Sequence, residues 1–204
     1  NEWDEAEGFP RELYRKAAAA GLLQLGFPEA YGGVPCDMFY RMILFQERAW
    51  GGSGGVASGL FSHTIGAPPI AAVGSDALKA RVLPDILSGH KVSALAISEP
   101  SGGSDVAHLT TLAERHGDHY VVNGQKVWTS RLQHSDFMLL LARTTPLADV
   151  KKKSEGMSIF IVDLRQAIGQ GLTVQPIPNM VNHETNELFF ENLEIPAENL
   201  IGVE

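Results

Sequence analysis

The sequence predicts an α+β fold, with an all-α N-terminal domain at residues 1–91 and a middle β-barrel or sandwich domain at residues 92–204. Up to about residue 90 the apolar side chains recur at helical spacing, and beyond that point they follow the spacing of strands. Helices and strands that are segregated along a chain in this way are typical of α+β proteins. With 204 residues, 44% of them hydrophobic, the chain can form one large or two small domains with a sizeable core.

Helix signals mark four segments of the first domain, at residues 10–21, 38–48, 53–64 and 75–89. Pro10 stands near the start of the first segment, where proline is favoured. Asp37 and Ser75 precede the second and the fourth segments as candidate N-caps. Residues 38–48 are apolar almost all round, which predicts that this helix is deeply buried. Pro84 predicts a bend or a new turn in the last helix.

Short apolar runs with strand character fill the second domain, at residues 92–97, 109–115, 119–122, 137–142, 157–162, 172–177 and 187–190. Gly117 and Asp118 separate two of these runs and predict a hairpin turn between them. Asn123 and Gly124 also stand between apolar runs, which is a strong signal for a further hairpin. The many short strands predict a β-barrel or a sandwich.

The formal net charge is −8 at pH 7 and no basic stripe offsets it, which excludes a nucleic-acid-binding function. Three lysines at residues 151–153 form the one basic run; we interpret it as a solvated loop, with docking of a phosphorylated substrate tail as the alternative. No apolar run approaches the length of a membrane span, so no transmembrane segment is predicted. The chain starts without methionine and stops just after a strand pattern, so we expect it to be part of a longer protein.

Cys36 is the sole cysteine, which excludes an internal disulfide and favours a reducing compartment. We therefore expect a cytoplasmic location, with the mitochondrial matrix as the alternative if a transit peptide was removed. His116 and His119 flank the tip of a predicted hairpin, and we interpret them as exposed turn residues rather than zinc ligands. No metal site is predicted.

The segment that says most about function is the loop SEPSGGSD at residues 98–105, which directly follows an apolar, strand-like run. Successive small residues let backbone N–H groups point into one concavity, which suits a diphosphate. Ser98 and Ser104 add hydroxyl donors, while Gly102 and Gly103 permit close approach and positive φ. A plain surface turn is the alternative interpretation. No helix follows the loop, so it is not a dinucleotide fingerprint, and nicotinamide binding in a doubly wound fold is disfavoured.

Trp128 lies in the segment NGQKVWTS at residues 123–130 and offers a flat aromatic face to a flavin ring. Burial of an indole contributes at most about 5 kcal/mol. Packing in a protein core would contribute as much, so the energy does not distinguish the two roles. Thr129 and Ser130 can hydrogen-bond to ring nitrogens or oxygens, with a place on the strand surface as the alternative. Together with the loop at residues 98–105, this segment predicts a flavin site.

Seven segments occur in a fixed order along the chain: FPEAYGG at 27–33, residues 63–69, GSD at 74–76, LPDILSG at 83–89, ISEPSGGSD at 97–105, NGQKVWTS at 123–130 and FFENLEIPAENLIG at 189–202. The fifth is similar to a Thr-Glu-Pro-x-x-Gly-Ser-Asp signature, and the sixth to an Asn-Gly-x-Lys-x-Trp-Ile-Thr-Asn stretch. In this order they resemble the acyl-CoA dehydrogenases, and the resemblance covers nearly the whole chain.

The resemblance implies FAD as cofactor and α,β-desaturation of an acyl-CoA thioester, with hydride transfer to flavin N5. It also implies an electron-transfer flavoprotein as electron acceptor and a homo-oligomer for the intact protein. The residues that it places at FAD are Leu95, Ala96, Ile97, Ser98, Gly103, Ser104, Trp128, Thr129 and Ser130. Trp128 would pack beside the isoalloxazine, Ser130 would lie near N5, and Ser104 would also face the thioester arm of the substrate.

This chain departs from the family pattern in three ways. Ser98 and Ser130 replace the commoner threonines, and the triplet Thr129-Ser130-Arg131 stands where the family has Ile-Thr-Asn. The family's catalytic glutamate belongs to a C-terminal helical bundle that follows the β-domain, so no residue of this chain is assigned as the catalytic base. Glu99 is interpreted as part of the loop structure. The isolated chain is expected to be inactive and to bind FAD weakly, and the face that the bundle would cover is expected to be apolar.

Three classes of function remain open at this point. The first is an acyl-CoA dehydrogenase. The second is another flavoenzyme on the same scaffold, such as an acyl-CoA oxidase, a nitroalkane oxidase or a flavin monooxygenase. The third is a non-catalytic protein that binds a flavin or a partner.

Overall fold

The computed structural model describes residues 2–6, 8–179 and 184–204. Within these residues it confirms the α+β fold, because helices occupy the first part of the chain and a sheet occupies the rest. The α-helices are Glu2–Glu5 (α1), Glu12–Ala19 (α2), Met38–Trp50 (α3), Gly54–Leu60 (α4), His63–Val73 (α5), Asp76–Leu87 (α6) and Leu164–Ala167 (α7).

The predicted N-caps stabilise two of these helices. The Asp37 carboxylate accepts from the N–H groups of Phe39 and Tyr40 at 2.9 and 3.2 Å, and so begins α3. The Ser75 hydroxyl accepts from the Leu78 N–H at 3.2 Å and begins α6. Helix α6 continues through Pro84 as far as Leu87, so Pro84 starts no separate helix. The first long helix starts at Glu12, two residues after Pro10.

The small-residue helix extends further than predicted. It bends after α4 and continues as α5, so that Gly54–Val73 forms a stretch of 20 residues with mean hydropathy 1.2. By length and composition alone this stretch meets the requirement for a membrane-crossing helix, which corrects the expectation that no run is long enough. Its apolar side chains also have partners within the fold, since Ala67 and Ile70 are fully buried in a core that contains strand residues.

The strands are Ser93–Ala96 (β1), Leu112–His116 (β2), His119–Ser130 (β3), Phe137–Arg143 (β4), Met157–Asp163 (β5), Leu172–Pro176 (β6), Thr185–Pro196 (β7) and Leu200–Ile201 (β8). Among the described residues they form one mixed sheet in the order β6-β7-β3-β2-β4-β5-β8, with β1 paired to β4. The β1–β4 and β2–β4 pairs are parallel and the others are antiparallel. As predicted, Gly117 and Asp118 form the turn between β2 and β3.

Strand β4 lies between two hydrophobic cores, because its successive side chains point to opposite faces of the sheet. Met138 and Leu140 face a core made by the sheet itself, to which β1 to β7 all contribute. Phe137 and Leu139 face the opposite way, onto α5 and α6. The helices therefore pack on the outer face of the sheet near β1 and β4, which fixes the start of the loop that follows β1.

The predicted hairpin at Asn123 and Gly124 is wrong, because β3 passes through both residues without a turn. The register against β7 shifts between Val122 and Gly124, so the Asn-Gly pair forms a bulge. The Asn123 side chain exchanges hydrogen bonds with Asn192 on β7 at 3.1 and 2.8 Å. Gly124 has φ +146°, and a Cβ at this position would meet Thr111 at 2.6 Å. This close approach, together with the backbone conformation, accounts for the glycine.

The predicted deep burial of α3 is also wrong. Its inward side chains are Arg41, Leu44 and Arg48, which are half-buried, whereas Phe39 is 71% exposed and no residue of the helix is buried. In the described part of the chain no other element covers the apolar face of α3. An all-round apolar sequence shows that a helix has an apolar surface, but it does not show what covers that surface.

His63 should make the fold sensitive to acid. Burial lowers the pKa of His63 from 6.5 to about 4. Hydrogen bonds to the Leu23 and Leu60 carbonyls act in the opposite direction, because they favour protonation, but they do not outweigh burial. The unfolded chain therefore takes up a proton before the folded chain does, and stability is lost as the pH falls from 6.5 to 4. Urea titrations should show that the parent loses roughly 3 kcal/mol more over this interval than His63→Gln. His116→Gln, at an exposed position, is the control; equal acid slopes for His63→Gln and the parent would contradict the assignment.

Candidate functional site

The loop at residues 98–105 and the Trp128 segment meet at one end of the sheet. The chain leaves β1 at Ala96, and two residues later the Ser98 carbonyl accepts a hydrogen bond from the Val127 N–H at 2.9 Å. Trp128 is the next residue along β3. One ligand can therefore contact both segments, as the flavin-site prediction requires.

A tight turn shapes the first half of the loop. Glu99 and Gly102 exchange backbone hydrogen bonds at 3.2 and 3.0 Å, with Pro100 and Ser101 at the tip. Gly102 and Gly103 do not adopt the positive φ that glycine permits. Asp105 ends the loop by accepting a hydrogen bond from the Ala107 N–H at 3.2 Å.

The second half of the loop is open to a ligand. Gly103 and Ser104 are exposed, and a Cβ at Gly103 would have no atom within 4 Å. Among the described residues, the N–H groups of Gly103 and Ser104 have no backbone acceptor. Exposed, unpaired N–H donors on small residues are the chemical requirement for binding an anion such as a diphosphate.

Glu99 holds the loop in place through a network of hydrogen bonds. We call the residues of this network the Glu99 cluster (Glu99, Thr110, Thr111, Lys126 and Ile97). One carboxylate oxygen accepts from the Thr110 N–H and hydroxyl at 2.7 and 2.8 Å. The other accepts from the Thr111 N–H at 3.0 Å and the Lys126 ammonium at 2.9 Å. Lys126 also donates to the Ile97 carbonyl at 2.9 Å. Glu99 is therefore part of the loop structure, as interpreted from the sequence.

Both charges of this cluster are removed from water, with the Lys126 side chain 0% exposed. Burial acts to raise the pKa of Glu99, but hydrogen bonds from Thr111, Lys126 and Thr110 outweigh it and lower that pKa from 4.5 to about 2. Burial lowers the pKa of Lys126, and the pairing with Glu99 opposes this change. The pair thus ties the residues that follow β1 to β3.

Trp128 is held in a strained and exposed conformation. Its φ is +62°, which is rare for a bulky side chain, and the β3–β7 register shifts between Lys126 and Thr129. The indole is 61% exposed, so packing in the core of this chain is contradicted. A strained backbone that presents an aromatic face to solvent beside this open loop fits a planar ligand, since strain of this kind clusters at functional sites.

Thr129 and Ser130 follow with opposite orientations. Thr129 is buried, and among the described residues its hydroxyl oxygen has no hydrogen-bond partner. Ser130 is exposed at the end of β3, in register with Thr185. An unpartnered buried hydroxyl beside the exposed indole is a group that a polar ligand atom can satisfy.

The three predicted contacts on β1 and after it differ in what they can offer. Ala96 is fully buried in the sheet's own core, and Leu95 packs partly buried on the helix side. Ala96 is 0% exposed, its backbone included. The Ile97 carbonyl accepts a hydrogen bond from the Lys126 ammonium.

Three buried cations were not predicted from the sequence: Lys126, Arg131 and Arg143. A lysine within an apolar strand was the one available signal for Lys126, and a basic residue at the end of an apolar strand was the signal for Arg143. The described residues contain no group of three His, Cys, Asp or Glu side chains that would hold an ion.

Comparison with known proteins relates this geometry to a family. The family model for the acyl-CoA dehydrogenase N-terminal domain matches residues 1–90, and the model for the acyl-CoA dehydrogenase middle domain matches residues 94–193. Acyl-CoA dehydrogenase FadE26 of Mycobacterium tuberculosis is 35% identical over 194 residues, 95% of this chain and 47% of that protein. The mitochondrial long-chain specific acyl-CoA dehydrogenase of Sus scrofa is 31% identical over 204 residues, 100% of this chain and 46% of that protein.

A solved structure shows the same arrangement. The crystal structure of a probable acyl-CoA dehydrogenase from Mycobacterium abscessus has a TM-score of 0.88 and 38% identity, covering 100% of this chain and 53% of that chain. This chain thus spans about half the length of the relatives that it matches. Because the two family models together cover nearly all of its residues, the chain belongs to the acyl-CoA dehydrogenase family.

Proposed function

We propose that this chain supplies the helical and flavin-contacting parts of an FAD-dependent dehydrogenase that introduces an α,β double bond into an acyl-CoA thioester. The observation that carries the proposal is the hydrogen bond from the Val127 N–H to the Ser98 carbonyl, which brings the open loop and the exposed Trp128 together. Membership of the family supports the same assignment. We also propose a division into domains at residues 91 and 92, which is where the helices give way to strands.

The residues present fit FAD. Exposed loop donors, an exposed aromatic face and an unpartnered buried hydroxyl are the three kinds of group that a diphosphate attached to a planar polar ring requires. The loop N–H groups with Ser98 and Ser104 would hold the diphosphate, Trp128 would flank the ring, and Thr129 and Ser130 would supply hydroxyls to it. FAD, when bound, supplies a hydride acceptor at flavin N5.

The remaining chemistry is the removal of the α-proton, and we assign its base to no described residue of this chain. Glu99 lies next to Ser98, but its two oxygens accept four hydrogen bonds, and its pKa of about 2 makes it a poor proton acceptor. Ser104 would instead orient the thioester arm. In our proposal the base, the electron-transfer flavoprotein that accepts the electrons and the homo-oligomer partner all lie outside these residues, and the intact protein is cytoplasmic.

The proposed FAD site is tested by titrating FAD into the 204-residue chain and following flavin fluorescence. We expect weak binding, because the chain spans about half the length of its relatives. Trp128→Ala should raise the Kd by about tenfold through loss of stacking. Trp50→Ala, at an even more exposed indole, is the matched control and should leave the Kd unchanged. Absence of FAD binding by the parent, or equal Kd values for Trp128→Ala and the parent, would sink the proposal.

The chain alone should not turn over octanoyl-CoA with FAD and an electron-accepting dye. A missing general base by itself costs about 10²- to 10⁴-fold in rate. Dye reduction is the measurement, with a protein-free mixture as the control. Steady reduction above that control would show that a residue of this chain acts as the base.

A further inference from the structure

Arg131 follows the Trp128 segment directly and is held in an unusual way. It is a buried arginine, 7% exposed, with φ +61°, a conformation that long side chains rarely adopt. Its N–H donates to the Glu184 carbonyl at 2.8 Å, and its guanidinium pairs with the Glu184 carboxylate. Trp128 and Arg131 are thus both strained, and they lie within one four-residue segment at the end of β3.

The same guanidinium also stacks on the N-terminal part of the chain. Its central carbon lies 4.6 Å from the centre of the Phe9 ring and 5.9 Å from that of Tyr14 on α2. Gly59 on α4 makes room for this packing, since a Cβ there would lie 2.5 Å from an Arg131 terminal nitrogen and 2.8 Å from the Phe9 ring. Three separate segments therefore converge on one planar cation.

From this convergence we propose that Arg131 is a positioning residue, which fixes the bend at residues 128–131 and thereby aims the Trp128 indole at the ligand. The inference rests on the proposed FAD site. A bend with two positive-φ residues persists only where its surroundings over-determine it. The ion pair with the Glu184 carboxylate fixes one end of the guanidinium, and the aromatic rings fix its plane. The hydrogen bond to the Glu184 carbonyl fixes the backbone of Arg131.

The prediction is that lysine cannot replace this arginine. An ammonium keeps the charge for Glu184 but loses the planar face that stacks on Phe9. Arg131→Lys should therefore release the bend while the rest of the fold persists. Gly59→Ala should release it without altering Arg131, because the new methyl group displaces the guanidinium, whereas alanine itself favours the helix.

The experiment uses the 204-residue chain in a Trp3→Phe/Trp50→Phe background, so that Trp128 is the sole indole. The near-ultraviolet circular dichroism band of tryptophan is compared for the parent, Arg131→Lys and Gly59→Ala, at a temperature where their far-ultraviolet spectra agree. Gly55→Ala is the matched control, because a Cβ there has no atom within 4 Å. We expect Arg131→Lys and Gly59→Ala to lose most of the band and Gly55→Ala to keep it. The FAD Kd should rise by about tenfold in the two release variants.

An unchanged Trp128 band in both Arg131→Lys and Gly59→Ala would overturn the positioning role, even if both variants melt at lower temperature, because a merely structural arginine lowers stability without moving that signal. Failure of the parent to bind FAD would instead refute the proposed function, and the dichroism comparison would still decide the role of Arg131.

Discussion

Replacement of Glu99 by glutamine should destabilise the chain by about 3–5 kcal/mol, because it leaves the Lys126 ammonium buried without a counter-charge. Lys126 is 0% exposed, and its remaining partner is the Ile97 carbonyl. Urea unfolding at pH 7 measures this loss. Glu194→Gln, at an exposed position on β7, is the control and should change stability by less than about 0.5 kcal/mol.

The effect of Glu99→Gln should depend on pH in a defined direction. The folded-state pKa of Glu99, about 2, lies below its ordinary value of 4.5, so the unfolded chain protonates first on acidification. The contribution of Glu99 is therefore complete above pH 4.5 and is lost as the pH falls from 4.5 to 2. The gap between parent and variant should narrow over that interval; a gap that stays constant would contradict the assignment.

A second variant separates charge burial from packing. Glu99→Gln/Lys126→Met removes both charges, and buried ion pairs replaced by apolar residues often leave stability unchanged or improved. We expect the double variant to be more stable than Glu99→Gln. If it is less stable, the cost arises from lost packing or lost hydrogen bonds rather than from the uncompensated lysine.

Replacement of Arg143 by lysine should destabilise the chain by about 3 kcal/mol, because a single ammonium cannot serve the four backbone carbonyls that the guanidinium serves. Arg143 is 1% exposed at the end of β4. Its Nε donates to the Leu109 carbonyl at 2.7 Å, and its two terminal nitrogens donate to the carbonyls of Ala107 and Lys153 at 2.7 Å and of Glu155 at 3.0 Å. Unlike the Glu99 cluster, Arg143 pairs with no carboxylate among the described residues.

The loss in Arg143→Lys is measured by urea unfolding beside Arg115→Lys. Arg115 is more than half exposed, with its nearest carboxylate oxygen at 3.6 Å, so its replacement should cost less than about 0.5 kcal/mol. Equal stabilities for Arg143→Lys and Arg115→Lys would show that the four carbonyls find other donors. Since Ala107 and Leu109 belong to the segment between the loop and β2, the same variant should also loosen the loop at residues 98–105.

Lys126 and Arg143, both buried, explain how the loop at residues 98–105 has a defined conformation although its residues are small. Lys126 pairs with the Glu99 carboxylate and binds the Ile97 carbonyl, whereas Arg143 holds the segment that leaves the loop. Each side of the loop is thus fixed by a charged group that points into the protein. Gly103 and Ser104, between these two fixed sides, are exposed.

Local patterns predicted the elements and the site segments, because the physics of those features lies within a few neighbouring residues. Capping by Asp37 and Ser75 depends on a side chain and the next turn of backbone, so both caps were confirmed. The turn at Gly117 and Asp118 is local in the same sense. The ordered motifs at residues 97–105 and 123–130 also identified the family, which the comparisons confirmed.

Other features depend on contacts between residues that are distant in the sequence, and only the tertiary structure revealed them. Asn123 and Gly124 form a bulge rather than a hairpin because Asn192 and Thr111, which are far along the chain, lie against them. The apolar face of α3 is exposed because no described element packs on it, which helical periodicity does not reveal. Residue patterns thus determined which segments are helix and which are strand. Long-range packing decided the strain at Trp128, the buried pair of Glu99 with Lys126 and the setting of Arg131, since each of these depends on contacts between segments that the sequence does not place together.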